Sequence, residues 1–373
     1  MKNRYMKWLC AVMTAVLLIM GSILAVSAAE TAGGSTVGGQ VYLGGMPFGV
    51  KFNTDGVMVV GFCDVEDAVG QGSRAVNPAK DAGIRIKDVI THVNGTPLAG
   101  AEDLTKAVEN CGGKPLALTV RRGISKSAAS RINKNDKNSP KAAGSEVLVI
   151  NVTPVKSQGE GRYKTGLWIR DSGAGIGTVT FVVPSTNAFA GLGHGICDGD
   201  TGELIPMQRG QVTDVTISGI DKGEAGTPGA IKGYFAPGKT GTLVGNTDCG
   251  VYGIYATRPA AAEKKVTVAE RQEVHDGPAT ILCTLDDGNL GAYSAVISHI
   301  DMTARGSKCF TVTVTDPKLI EKTGGIVQGM SGSPIVQDGR LIGAVTHVLI
   351  NDPTTGYGIF IDNMLRDMPE LLK

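Results

Sequence analysis

Gly324-Gly325-Ile326-Val327-Gln328-Gly329-Met330-Ser331-Gly332-Ser333-Pro334-Ile335-Val336 carries a serine in a G-x-S-G-x-P turn between two apolar, strand-like runs. Glycines on both sides of a serine permit a tight turn that projects the hydroxyl and aims neighbouring backbone N–H groups at one point. Downstream, Asp338-Gly339 is a hairpin turn signal, and Arg340 to Thr346 reads as the returning strand. The same grammar of short Val, Ile and Thr runs between glycines fills the chain. Glycine accounts for 53 of 373 residues, about twice the usual ~7%, with no G-X-Y period. Collagen and low-complexity disorder are excluded, and a mainly β protein is expected. With 42% apolar residues, the chain has enough material for two cores and is too long for one ordinary domain. A formal net charge of +1 argues against a phosphate-binding surface, so nucleic acid is not expected as a partner.

The N-terminus has the three parts of an export signal. Lys2, Arg4 and Lys7 precede an apolar run from Trp8 to Val26, and small residues follow at Ser27-Ala28-Ala29. Residues 1–29 are therefore expected to be a signal peptide or an N-terminal membrane anchor, which places the rest outside the cytoplasm. Of the seven cysteines, six lie beyond this segment and none forms a C-x-x-C pair. Zinc and thioredoxin-type chemistry have no support, and wide spacing favours small buried thiols over a disulfide framework.

Residues 40–123 read as strands with one clear helix. Gly44 to Val50 is a glycine-bracketed loop, Gly56 to Phe62 a strand, and Asp88 to Val93 a strand that ends in an Asn94-Gly95 turn. Ala101 to Cys111 places Leu104, Ala107, Val108 and Cys111 on one helical face, and Leu116 to Arg121 is a further strand. This order, with A-G-I-x-x-x-D-V-I-x-x-V-N-G, resembles a PDZ domain. Such domains add an extended peptide to a sheet edge, beside a loop whose amides hold a carboxylate. By position that loop is Gly45, Met46, Pro47, Phe48, Gly49 and Val50. Residues 124–146 are polar and basic and are expected to be a flexible linker open to cleavage.

From 147 to 373 the chain reads as a second β domain. The serine turn is similar to that of double β-barrel serine peptidases, in which a serine attacks a peptide carbonyl and backbone amides hold the oxyanion. In that resemblance Ser331 is the nucleophile, the N–H groups of Gly329 and Ser331 form the oxyanion hole, and Ser333 is the positional rival. A serine hydroxyl needs a base. His194, in Gly191-Leu192-Gly193-His194-Gly195-Ile196-Cys197-Asp198, is framed by glycines after a strand and precedes the serine, as in chymotrypsin-like chains. His347 is the rival, while His275 and His299 lack such a frame.

Four runs, residues 166–181, 193–202, 315–335 and 343–359, resemble the stage IV sporulation protein B peptidases. These are serine endopeptidases of spore-forming bacteria with an N-terminal hydrophobic segment, a PDZ domain and a chymotrypsin-like double β-barrel. The resemblance implies His194 as base, Ser331 as nucleophile and Asp316 as the acid, with Asp198 and Asp200 as alternatives close to His194. It also implies secretion into the space between forespore and mother-cell membranes, and self-cleavage near the N-terminus. A membrane-bound regulator of an intramembrane protease would be the substrate, so that a late sigma factor, sigma-K, is matured from its precursor. The PDZ domain would hold the enzyme's own segment or a partner's C-terminus. No cofactor or metal is called for. The competing readings are a non-catalytic PDZ scaffold and a general extracytoplasmic quality-control protease.

Overall fold

The computed structural model describes residues 39–69, 72–123, 145–285 and 288–373. The expected export segment and nearly all of the expected linker, 124–144, lie outside these residues. Ser145 and Glu146, read as its end, already belong to the strand Ser145–Val152.

Two closed, antiparallel six-stranded barrels carry the second domain, as the serine-turn resemblance leads one to expect. In the first, Pro47–Phe62 pairs with Leu167–Val182, which pairs with Ala188–Gly191. The ring continues through Gly250–Tyr255, Gly241–Thr247 and Met207–Thr213, and returns to Pro47–Phe62. In the second, Gly277–Thr284 pairs with Leu290–Ser298, then Phe310–Val314 and Asp352–Phe360 follow. Arg340–Leu349 and Pro334–Gln337 bring the sheet back to Gly277–Thr284. Closure removes the sheet edges that would otherwise offer unpaired backbone groups. Strands such as Phe310–Val314, buried at every second residue, supply the interior by simple alternation. Phe48, Val50, Phe52 and Phe189 fill the first barrel, while Ile281, Ile297, Val312 and Ile335 fill the second. The strand Gln40–Leu43 ties the barrels together: it pairs with Leu167–Val182 and with Lys265–Val268, itself parallel to Arg340–Leu349.

The PDZ module is inserted into the first barrel instead of preceding it. Sequence reading divides residues 47–62 into a loop, a short strand at Val50 to Phe52 and a second strand from Gly56, whereas they form one strand of 16 residues. Its first part belongs to the barrel. After a bend at Gly56, whose φ is +93°, Val57 and Met58 pair with Ile90 and Val89 of the PDZ sheet. The partner strand Leu167–Val182 divides the same way, with register shifts at Trp168/Ile169 and Arg170/Ser172. Between them lie Val89–Val93, the helix Ala101–Glu109, Leu116–Gly123 and Ser145–Val152, around a separate core of Val57, Ile90, Leu104, Leu118 and Val120. The domain boundaries expected at 40 and 147 are corrected accordingly. Residues 40–54 belong to the first barrel or its tie, and the PDZ module runs on to about Arg170. Alternation of apolar and polar residues is the same in both sheets, so the pattern holds no mark of where a strand leaves one for the other.

The loop assigned to PDZ carboxylate binding, Gly45 to Val50, falls on the wrong body. Phe48 and Val50 are interior residues of the peptidase barrel, and Pro47 to Gly49 pair with Thr178 to Ile176. A cavity on the PDZ module itself lies elsewhere. Leu104, Thr105 and Val108 of the helix face Tyr163, Gly166 and Leu167 across a cavity of about 240 Å³. At its rim Arg162 pairs with Glu109 at 3.0 Å.

Candidate active site

His194 follows the first-barrel strand Ala188–Gly191, where Leu192 and Gly193 both adopt positive φ and turn the chain sharply. Ser331 lies on the second barrel, in the loop between the helix Pro317–Thr323 and the strand Pro334–Gln337. Both side chains line one cavity of about 710 Å³, together with Gly329, His347, Cys197 and Asp248. Gly332, at φ +93°, is where the turn needs glycine: a Cβ there would lie 2.0 Å from the Thr178 carbonyl oxygen. Ser333 is fully buried and does not line the cavity, which separates the two serines.

The His194 ring sits with Nδ1 2.8 Å from the Gly195 carbonyl oxygen. A carbonyl can only accept, so Nδ1 carries the proton and Nε2 keeps the lone pair that a base requires. Burial pushes its pKa below the usual histidine value, partly opposed by the Gly195 carbonyl, so the ring is neutral at pH 7. The Ser331 hydroxyl donates to the Thr346 carbonyl at 2.8 Å. It must turn away from that carbonyl to meet the imidazole. The His347 ring packs against His194 with centroids 4.9 Å apart, and its Nδ1 is buried with no hydrogen-bond partner. Desolvation, then the proximity of His194 and Lys308, lowers its pKa to about 4, so it too is neutral.

The backbone around the serine is asymmetrically satisfied. The amides of Gln328, Met330, Gly332 and Ser333 all donate to carbonyl oxygens. Among the described residues, the amides of Gly329 and Ser331 have no such acceptor. Those are the two groups that the sequence assigns to an oxyanion hole.

Asp316 is corrected. It is the N-cap of the helix Pro317–Thr323, accepting from the amides of Lys318 and Leu319 at 3.0 and 3.2 Å and from Ser294 at 3.3 Å. It does not line the cavity. An Asp-Pro pair before an amphipathic run is a helix-start signal, and that reading of the local sequence prevails. Asp198 and Asp200 are also accounted for outside the cavity. Thr201 and Arg170 hold the buried Asp198 carboxylate, the guanidinium at 2.7 Å, and Asp200 is 3.4 Å from Arg170. Burial by itself would raise the Asp198 pKa, but these contacts keep it lowered. The carboxylate that does line the cavity among the described residues is Asp248. It occupies the two-residue turn between Gly241–Thr247 and Gly250–Tyr255, and sequence reasoning missed it. Thr247-Asp248-Cys249-Gly250 looks like any hairpin turn, and only closure of the first barrel brings Asp248 into the lining of the cavity that His194 shares. His275, bonded to Asp338 at 2.8 Å, and His299 lie outside the cavity. Cys197 and Cys63 are exposed thiols, against the expectation of burial, whereas Cys111, Cys249, Cys283 and Cys309 are buried.

A serine and a neutral histidine, one from each barrel, thus line one cavity. The profile of the SpoIVB peptidase S55 family matches residues 161–365. The chain belongs to that family. It is a serine peptidase with a PDZ domain, whose profile matches residues 74–122. Among solved structures it is similar to the Rv3671c protease from M. tuberculosis. The active form matches with a TM-score of 0.30 and 15% identity, over 52% of this chain and 72% of the other. The inactive form matches with a TM-score of 0.29 and 16% identity, over 51% and 81%. A search of the curated proteins found no match.

Proposed function

We propose that the chain is an exported serine endopeptidase that delivers a signal between compartments during sporulation. The observation that carries the chemistry is that His194 and Ser331 line one cavity. In the proposed reaction Ser331 Oγ leaves the Thr346 carbonyl and attacks the peptide carbonyl. His194 Nε2 takes its proton and passes it to the leaving amine. The amides of Gly329 and Ser331 hold the oxyanion, the Gly195 carbonyl orients the imidazole through Nδ1–H, and Asp248, the carboxylate in the same cavity lining, would help stabilise its charged form.

Family membership supports the wider role. The substrates would be the enzyme's own N-terminal segment and a membrane-bound regulator of an intramembrane protease, cut in the space between forespore and mother-cell membranes to trigger sigma-K maturation. The PDZ groove beside Thr105 and Val108 would hold the peptide or C-terminus that restrains the enzyme. The test is expression of wild type and Ser331→Ala, with mass spectrometry of the chain's own fragments and of the regulator. Fragments made by wild type and missing with Ser331→Ala are expected. Identical fragments from both proteins would refute Ser331-dependent cleavage, and broad degradation of unfolded chains would favour quality control over signalling.

A further inference from the structure

We infer that Thr178, a buried residue of the first barrel, is a positioning residue for the oxyanion hole: its hydroxyl fixes the peptide plane between the two amides that receive the oxyanion. This rests on the proposed roles of Ser331 and of the Gly329 and Ser331 amides.

A peptide unit is planar, with its C=O and N–H pointing in opposite directions. Fixing a carbonyl therefore fixes where the amide of the same plane points. Four consecutive planes run through the nucleophile turn. The Gln328–Gly329 plane is held because the Gln328 carbonyl accepts from the Ile231 amide at 2.8 Å, which directs the Gly329 N–H. The Met330–Ser331 plane is held because the Met330 carbonyl accepts from Ser333 at 2.9 Å, which directs the Ser331 N–H. Between them, the Gly329 carbonyl accepts from Thr178 Oγ1 at 2.8 Å. After them, the Ser331 carbonyl accepts from the Thr178 amide at 2.9 Å. One residue thus holds the middle plane with its side chain and the plane beyond the serine with its backbone.

The middle plane is also held at its other end, where the Met330 amide donates to the Val327 carbonyl at 3.1 Å, a contact made within the turn itself. It follows Gly329, whose φ of +98° lies where glycine alone moves freely. Rotation there would carry the two donor amides out of register. The Thr178 hydroxyl comes from the opposite barrel, so it also ties the geometry of the turn to docking of the barrels. Thr180, whose hydroxyl donates to the Gly332 carbonyl at 2.7 Å, secures the next plane in the same way.

The test compares wild type, Thr178→Val, Thr178→Ser and Ser331→Ala by the rate of Ser331 labelling with a fluorophosphonate probe. The phosphoryl oxygen of this probe uses the same amides as a peptide oxyanion. Kinetics of self-cleavage and thermal melting are followed in parallel. Thr178→Val is expected to slow labelling and self-cleavage by about tenfold or more, since removing a single oxyanion donor costs 10²–10³ and Thr178 acts one bond away. Thr178→Ser is expected to restore the rate, and the pH midpoint set by His194 should stay unchanged in both variants. Thr178→Val labelling at the wild-type rate would overturn the inference, as would Thr178→Ser failing to recover it in a protein that melts normally. Wild type labelled no faster than Ser331→Ala would overturn the nucleophile assignment itself, and the inference with it.

Discussion

Replacing Asp316 and Asp248 in turn separates a helix cap from a catalytic acid. Asp316 accepts from three amides, and two of them begin the helix Pro317–Thr323. Loss of an N-cap carboxylate costs about 1 kcal/mol, within a range of roughly 0.5–2. The third amide moves Asp316→Ala toward the upper end, though water can partly replace the carboxylate at this half-exposed position. In a domain of this size that is a fall of about 2–6 °C in melting temperature. Ser331 labelling and self-cleavage per folded molecule should stay within about twofold, because a cap acts on stability and not on the transition state. Asp248→Asn should do the reverse. It keeps the shape of an exposed turn residue, so melting is unchanged, but it removes the carboxylate charge from the cavity lining. The cost should be a measurable loss of rate that stays well short of the ~10⁴ known for a buried, directly bonded triad acid, because solvent screens an exposed carboxylate. The assay is fluorophosphonate labelling at one temperature well below both melting points, with melting followed by circular dichroism. Loss of labelling by Asp316→Ala in a folded protein, together with full labelling by Asp248→Asn, would refute the reasoning.

The two cavity histidines give a pH prediction. Folding holds His347 at a pKa of about 4, below the ordinary 6.5, and His194 is lowered as well. The unfolded chain therefore binds more protons as pH falls below about 6.5, so stability is complete above that value and declines toward pH 4. His347→Phe should lose less melting temperature than wild type between pH 7 and pH 4, and an equal loss would count against the pairing. Since His194 must be neutral to act, the acid limb of the pH–rate profile should lie below 6.5; a midpoint above 7 would contradict its burial. Gly332→Ala should destabilise the protein by about 3 kcal/mol or more, because both φ and the Thr178 carbonyl forbid a Cβ. Chemical denaturation measures this, and a neutral result would refute the turn geometry. Thr105→Trp should fill the PDZ groove and abolish binding of C-terminal peptides in a fluorescence titration. Retained binding would move the peptide site away from this groove.

The fold class could be read from the chain because β structure is written locally. Alternation, glycine-bounded turns and the Asn94-Gly95 hairpin each concern neighbours in sequence, and strands formed where they indicated at Val89–Val93, Leu116–Gly123 and Arg340–Leu349. The glycine-framed turns that present Ser331 and His194 to one cavity were also legible, since such a turn is a local device for presenting one side chain. Asp316 came from the resemblance alone, and the structure makes it the N-cap of the helix Pro317–Thr323.

What the sequence determined by itself is therefore the β-rich set of elements and two glycine-framed side chains, Ser331 and His194, which the structure brings to one cavity. Tertiary structure alone decided that the PDZ module interrupts the first barrel, that Asp248 lines the cavity, and that Thr178 grips the turn beside Ser331. Those relations join residues far apart in the chain through barrel closure and strand register. Neither leaves a periodic mark on the sequence, because a strand keeps its two-residue period whichever sheet it enters.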